Sequence, residues 1–412
     1  MKIKLTLFLV FLGQLIFAQN RIDYLVQNRV DLRTEIPNIT ETDFNIIGFG
    51  ALHGSSKPYE AELSLVKSLI EKDMLDYYII EANFSQAFFI QKYLETGDEK
   101  LLNELTYAFQ TMVSQEGTIQ TYNHWKNIRE ILKKHPGKSI QVIGCDVVNE
   151  YLFPIKHILL LSNDDGNWTQ RQVLGKAISQ EDLNSTIWNK ELNENVKSFV
   201  KDYLSNKEKY SAQINDIWTF NHIIQTINYN FQERREREKI IFDNYLVLKA
   251  KLGLENKKQF AKYGYGHLQK FKEGNYPCFF TRLIDNNIYP RENVITIIGY
   301  LTKSKVLWDK KYDKKGNYKG YTTKAGYGIS DYWKEYFKGI KNLKKLKLSD
   351  LTMFKLNQDD SPYFHGTDLV EIKMFLKDYN TTKLKGKNTL QFIDYAILIS
   401  DSKEQTPIEE MK

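Results

Sequence analysis

At 412 residues the chain is long enough to bury one large core or two ordinary ones. Hydrophobic residues at 42%, aromatic at 13% and charged at 26% are ordinary globular values and exclude disordered, fibrous and collagen-like classes. The formal charge of +7 is a mild basic excess; with no recognisable nucleic-acid module and no basic stripe interleaved with aromatics, it gives no ground for nucleic-acid binding.

The first element is a leader. Met1-Lys2-Ile3-Lys4 supplies a short positive region, and Leu5 to Phe17 an apolar run broken only by Thr6, Gly13 and Gln14. Such a run is short of the roughly 20 apolar residues that span a bilayer, so residues 1–18 read as a signal peptide cleaved after Ala18. The expectation is an exported protein, periplasmic or secreted, with no later stretch that crosses a membrane. Residues 19–412 then form the mature domain.

Short β-type runs alternate with helical ones through the first half of the chain, the pattern of an α/β fold with a mostly parallel central sheet flanked by helices. Asn45 to Leu52 is the first expected strand, followed by a helical spacing over Pro58 to Met74. Tyr77 to Ala82 is the second strand, with helices at Phe84 to Leu94 and Thr118 to His135, the latter stopped by Pro136-Gly137. Ile140 to Cys145 is the third. From about 154 to 254 the β signal disappears, which marks a helical insertion or subdomain carrying long patterns at Lys207 to Phe231 and Glu233 to Lys251. Strands return at Gln259 to Tyr265, Val294 to Gly299 and Phe392 to Ile399. Lys314-Lys315-Gly316-Asn317 reads as a hairpin turn, and the tail after Asp401 as a frayed end. In the Lys-rich stretch from Lys338 to Lys347 the lysines alternate with Ile340, Leu343, Leu346 and Leu348, as on the solvated face of an amphipathic segment; attraction of an acidic ligand is the alternative.

Only Cys145 and Cys278 are present, too few for a disulfide framework; one bridge or two buried thiols both remain open. His124 and His222 lie on expected helices and read as satisfied or surface histidines.

In an open α/β sheet, ligands collect at the carboxyl ends of the strands. Four expected strands end in a polar residue that can carry chemistry: His53, Glu81, Asp146 and His267. Two of these are among only seven histidines, and both follow glycines, Gly50-Ala51-Leu52-His53 and Gly264-Tyr265-Gly266-His267, which permit close backbone approach. Imidazole titrates near neutrality and can accept and return a proton, while a carboxylate fixes its tautomer. The candidate catalytic set is therefore His53, Glu81, His267 and Asp146, with Ser55, Arg237 and Tyr265 as candidate substrate-binding residues and a small molecule as substrate. Asp394, near the last strand, is undecided.

These segments resemble the erythromycin esterase family. Ile46-Ile47-Gly48-Phe49-Gly50-Ala51-Leu52-His53-Gly54-Ser55 is similar to that family's Gly-Glu-Ala-Thr-His-Gly segment, Glu81-Ala82-Asn83-Phe84 to its Glu-Ala-Asp-Phe strand end, and Gly144-Cys145-Asp146 to its Gly-x-Asp. Arg237-Glu238 with Asn244 resembles the Arg-Asp helix before the second histidine, and Tyr265-Gly266-His267-Leu268 the His-x-His-hydrophobic segment. The resemblance runs from about Ile46 to Ile399. It implies a metal-free hydrolase in which His53 draws a proton from water that attacks a lactone-type ester, with Glu81 and His267 completing the site and no cofactor. Departures are specific: the family's glutamate three residues before its first histidine is Gly50, its threonine before that histidine is Leu52, its early helix cation falls at Glu62, and the first paired histidine-type position is Tyr265. Loss of that carboxylate and cation implies a changed mechanism or substrate.

Two related resemblances imply other functions. The paired Gly-x-x-His segments with an intervening glutamate also resemble TraB/Tiki-type proteins, which would make His53, Glu81 and His267 ligands of a divalent metal in a metal-dependent hydrolase. A likeness to ChaN-type proteins would imply a non-catalytic binder of haem or another ligand.

Overall fold

A computed structural model of the chain describes residues 20–39, 43–163, 166–178, 185–325 and 330–411. The expected signal peptide lies outside them. The architecture is mixed α/β, with a mostly parallel central sheet of eight strands flanked by helices. In chain order the strands are β1 (Arg29–Asp31), β2 (Ile46–Gly50), β3 (Tyr77–Ile80), β4 (Gln141–Gly144), β5 (Gln259–Lys262), β6 (Val294–Thr302), β7 (Leu351–Lys355) and β8 (Tyr395–Ser400). The chain forms two compact units, the first from Met1–Met74, Tyr263–Trp308 and Thr322–Gln405, the second from Leu75–Lys262, Asp309–Tyr321 and Thr406–Lys412.

The first unit carries the strand order β1-β7-β8-β6-β2. Strands β8, β6 and β2 are parallel, with Tyr395 opposite Ile297 and Ile46 opposite Val294, whereas β7 runs antiparallel to both its neighbours. Every residue of β2, β6 and β8 is buried. That is why each reads as a continuous apolar run rather than an alternating one: both faces of a parallel sheet are covered. Tyr300, Leu343, Phe354, Phe392 and Leu398 belong to one buried cluster beside it. A small antiparallel sheet adds Asp331–Tyr332, Glu335–Phe337, Ile372–Met374 and Lys377–Asp378. The helix Ile340–Leu346 buries Ile340, Leu343 and Leu346 and leaves its lysines outward, as its spacing requires.

The second unit carries β5-β3-β4, all parallel, with Tyr77 opposite both Gln141 and Gln259. The helix Phe84–Thr96 follows β3 directly; the Asn83 side chain accepts from Gln86 N and the Gln86 side chain from Asn83 N, a reciprocal cap that fixes where it begins. Among the described residues no sheet strand lies between Gly144 and Gln259, a span filled by helices from Leu152–Leu161 to Arg237–Leu252. They bury their own apolar cluster, in which Trp168 stacks on Tyr210 with centroids 4.1 Å apart. The pattern over 207–231 is not one helix. It breaks into Lys207–Ser211 and Ile217–Asn228, because the Asp216 side chain accepts from Thr219 N and starts a new helix there.

The hairpin turn stands where its residues put it: Gly316 adopts φ +81°, and Asp313 Oδ1 accepts from the backbone N–H groups of Lys315 and Asn317. The tail after Asp401 is a correction. Ile408 is 1% exposed, its N–H donates to Gly117 O, and Lys310 Nζ donates to Glu409 Oε2 at 3.0 Å, so an apolar anchor and a buried ion pair hold it in place. Neither Cys145 nor Cys278 forms a disulfide, and both are buried. His124 and His222 are buried too, contrary to a surface position: His124 Nε2 lies 3.2 Å from Tyr78 Oη, and His222 packs edge-on against Phe84 at 4.7 Å.

Candidate active site

In the second unit, Glu81 follows β3 and Asp146 follows β4 by two residues, both at the carboxyl ends. The two strand ends are pressed together. A Cβ added at Gly144 would meet Ala82 O and Asn83 O at 2.5 Å, and Asp146 N donates to Ala82 O at 3.1 Å. Across both carboxylates lies Arg237, the first residue of the helix Arg237–Leu252. Its Nε donates to Asp146 Oδ1 at 2.9 Å, and one terminal nitrogen donates to Asp146 Oδ2 at 2.6 Å and to Glu81 Oε1 at 2.8 Å. Asn244, two turns further on the same face, donates to Cys145 O at 2.9 Å and holds the helix to the strand end.

The electrostatics follow from burial. The side chains of Asp146 and Glu81 are 0% and 5% exposed, that of Arg237 33%. Burial opposes the charge on Arg237, but the Asp146 and Glu81 carboxylates outweigh it and hold the guanidinium above its ordinary value. Arg237, a candidate substrate-binding residue from sequence, is thus the centre of this cluster. Arg235, not foreseen, donates from its guanidinium to Val148 O at 3.0 Å and Asn149 Oδ1 at 2.8 Å. Glu150 is a second residue missed. It is 2% exposed, accepts from Asn83 Nδ2 and Phe153 N, and burial pushes its carboxyl up to about 7. A carboxylate between Val147-Val148 and Leu152-Phe153 was the available signal. It lines a cavity of about 400 Å³ with Glu104, Tyr107, Leu152, Tyr312 and Tyr318.

In the first unit, His53 occupies the turn after β2, and His267 ends the short turn Tyr265–His267; both are half-buried. Gly50 brings their segments together. A Cβ there would meet Tyr265 Cα at 2.7 Å and Tyr263 O at 2.9 Å, and Tyr263 N donates to Phe49 O at 3.4 Å. The absence of a side chain at position 50 is therefore a packing requirement: the backbone before His267 fills the space. The turn after His53 is pinned by Gly54 O, which accepts from Leu307 N at 2.7 Å and Gln405 N at 2.8 Å. The Tyr263 and His267 rings lie 5.5 Å apart.

Ser55 is fully buried, and its hydroxyl donates to Ser402 Oγ at 2.7 Å, which holds the turn and turns it from solvent. Tyr265 lines a small pocket with Leu52. Asp394 stands before β8, where it pairs with Lys270 at 2.6 Å and accepts from Thr296 N at 2.8 Å, a buried structural pair at the opposite strand ends. Among the described residues, no three His, Cys, Asp or Glu side chains are grouped to hold a metal ion. Glu81, a ligand in the metal-dependent alternative, is instead engaged by the Arg237 guanidinium.

No protein-family model matches the chain, and no curated protein matches it in sequence. Similarity is found in solved structures. A Bacillus cereus protein shares 16% identity with a TM-score of 0.57, covering 95% of this chain and 99% of its own. A succinoglycan biosynthesis protein shares 13% with a TM-score of 0.59, covering 94% and 98%. A mutant of the erythromycin esterase EreC in its open conformation shares 11% with a TM-score of 0.53, covering 89% and 92%. The fold of this chain is thus similar to that of an erythromycin esterase over most of both lengths.

Proposed function

We propose that the protein is a hydrolase that cleaves an ester or related bond of a small molecule with water activated at His53. His53 takes the proton from water as its oxygen attacks the carbonyl carbon, and returns it to the leaving oxygen as the tetrahedral intermediate collapses to acid and alcohol. His267 stabilises the developing negative charge. In the second unit, Glu81 and Asp146 hold Arg237 in place as a fixed cation. The reading rests on one observation above all: Gly50 packs so tightly on the Tyr263–Tyr265 backbone that the His53 and His267 segments run side by side. The fold shared with an erythromycin esterase supports the same reaction class. Replacing His53 by Ala is expected to abolish turnover of a screened ester panel with melting temperature nearly unchanged; a variant as active as the parent sinks the proposal.

Export belongs to the same proposal. The leader predicts a mature N-terminus at Gln19, and sequencing the protein recovered outside the cytoplasm checks it.

A further inference from the structure

Within the first unit, the small sheet closes over a pocket of about 130 Å³. Five aromatic rings, Tyr265, Tyr300, Tyr336, Phe337 and Tyr379, line it together with one acid, Glu335. The Phe337 ring meets Tyr300 at 5.0 Å and Tyr265 at 6.3 Å, both edge-on, so the wall is a set of packed rings. The Tyr300 hydroxyl donates to Leu369 O and is already committed. Glu335 Oε2 is buried and has no hydrogen-bond partner among the described residues. Among the described residues, no lysine, arginine or histidine lines the pocket.

A buried carboxylate oxygen with neither donor nor counter-ion is costly and asks for an explanation. Burial accordingly pushes the Glu335 carboxyl up. An anion in this pocket would be repelled, and an apolar group would leave Oε2 unsatisfied. A cation with N–H donors meets both needs: it neutralises the carboxylate, donates to it, and lies against ring faces whose quadrupoles attract positive charge.

We propose that this pocket takes an organic ammonium group, which donates to Glu335 and lies against the five aromatic rings. Leu52, beside His53, lines the pocket, as does Tyr265, two residues before His267. The ammonium is therefore part of the substrate; this last step alone rests on the hydrolase reading. Glu335 is then a specificity-determining residue.

Titrating the full-length protein with n-butylammonium, 1-butanol and butyrate, followed by calorimetry and ligand proton shifts, tests the pocket without turnover. Expected is saturable binding of n-butylammonium with upfield-shifted methyl protons, at least tenfold weaker binding of the other two, and at least a tenfold loss in Glu335→Gln. Glu273→Gln, which removes another carboxylate whose charge reaches Tyr265, is expected to bind like the parent. No saturable binding, equal binding of 1-butanol, or undiminished affinity in a folded Glu335→Gln overturns the proposal. In parallel, methyl 4-(aminomethyl)benzoate is expected to be hydrolysed in preference to methyl 4-ethylbenzoate, a preference lost in Glu335→Gln. Amine binding at Glu335 with neither ester cleaved keeps the pocket and sinks the hydrolase; cleavage of both esters alike in parent and variant does the reverse.

Discussion

Replacing Arg237 by Met removes the guanidinium while keeping most of the apolar stem. Two carboxylates then lose their cation, and Asp146, at 0% exposure, cannot turn to water. Removing one partner of a buried ion pair costs about 3–5 kcal/mol. Arg237 is one-third exposed, so solvent screens part of its interaction and the expected loss is about 2–3 kcal/mol. The assay is urea unfolding of the parent, Arg237→Met, Asp146→Asn and the double variant. In the cycle, Asp146→Asn is expected to recover about 1–2 kcal/mol in the Arg237→Met background, because the uncompensated charge has gone. A loss below about 0.5 kcal/mol, the size of an ordinary surface substitution, or additive effects in the cycle would refute the clamp.

Buried histidines set the acid limit. Burial lowers His222 to about 4 and His157 to about 3; the unfolded chain binds these protons from about pH 6.5 downwards, so stability is full above that pH and falls as pH drops towards 4. His222→Phe is expected to remove about 3 kcal/mol of that acid loss, and urea midpoints between pH 7 and 4 that keep the parent's slope would contradict it. Glu150 acts with the opposite sign. Its raised carboxyl, near 7, favours the folded state below about pH 4.5 and loses that advantage as pH rises to 7, so Glu150→Gln is expected to flatten stability over that window. Gly50→Ala is expected to cost about 1–3 kcal/mol by overpacking and to depress turnover, because Tyr265 Cα must move from its 2.7 Å approach; an active variant of parental stability would show that the two turns tolerate separation.

The buried parallel strands were legible because burial on both faces leaves only apolar residues: β2, β3, β4, β6 and β8 all stand on their apolar runs. β1 was not, since Arg29-Val30-Asp31 is half-buried, three residues long and stabilised by its partner β7 rather than by its own pattern. The position of Glu81 and Asp146 at strand ends could be read from sequence. Arg237 could not be placed, for its partners lie 156 and 91 residues away and only the fold brings them within reach. Glu335 was hidden in a Lys, Tyr and Trp-rich stretch with no apolar periodicity, where a short half-buried strand gives no signal. Whether His124 and His222 were satisfied inside or exposed could not be decided from sequence, because position on a helix does not reveal which neighbouring element will cover it; both are buried.

The anchored tail governs the order in which the molecule can be completed. Ile408 and Glu409 belong to the second unit, whose first strand is made more than three hundred residues earlier. Until residues 406–409 are made, Lys310 lacks its Glu409 partner and the start of the helix Ile119–Lys134 lacks the backbone of Thr406. A stop before residue 406 therefore leaves a nascent chain in which Lys310 is without its carboxylate and the start of that helix without its cover, so this early-made layer closes only when residues 406–409 follow.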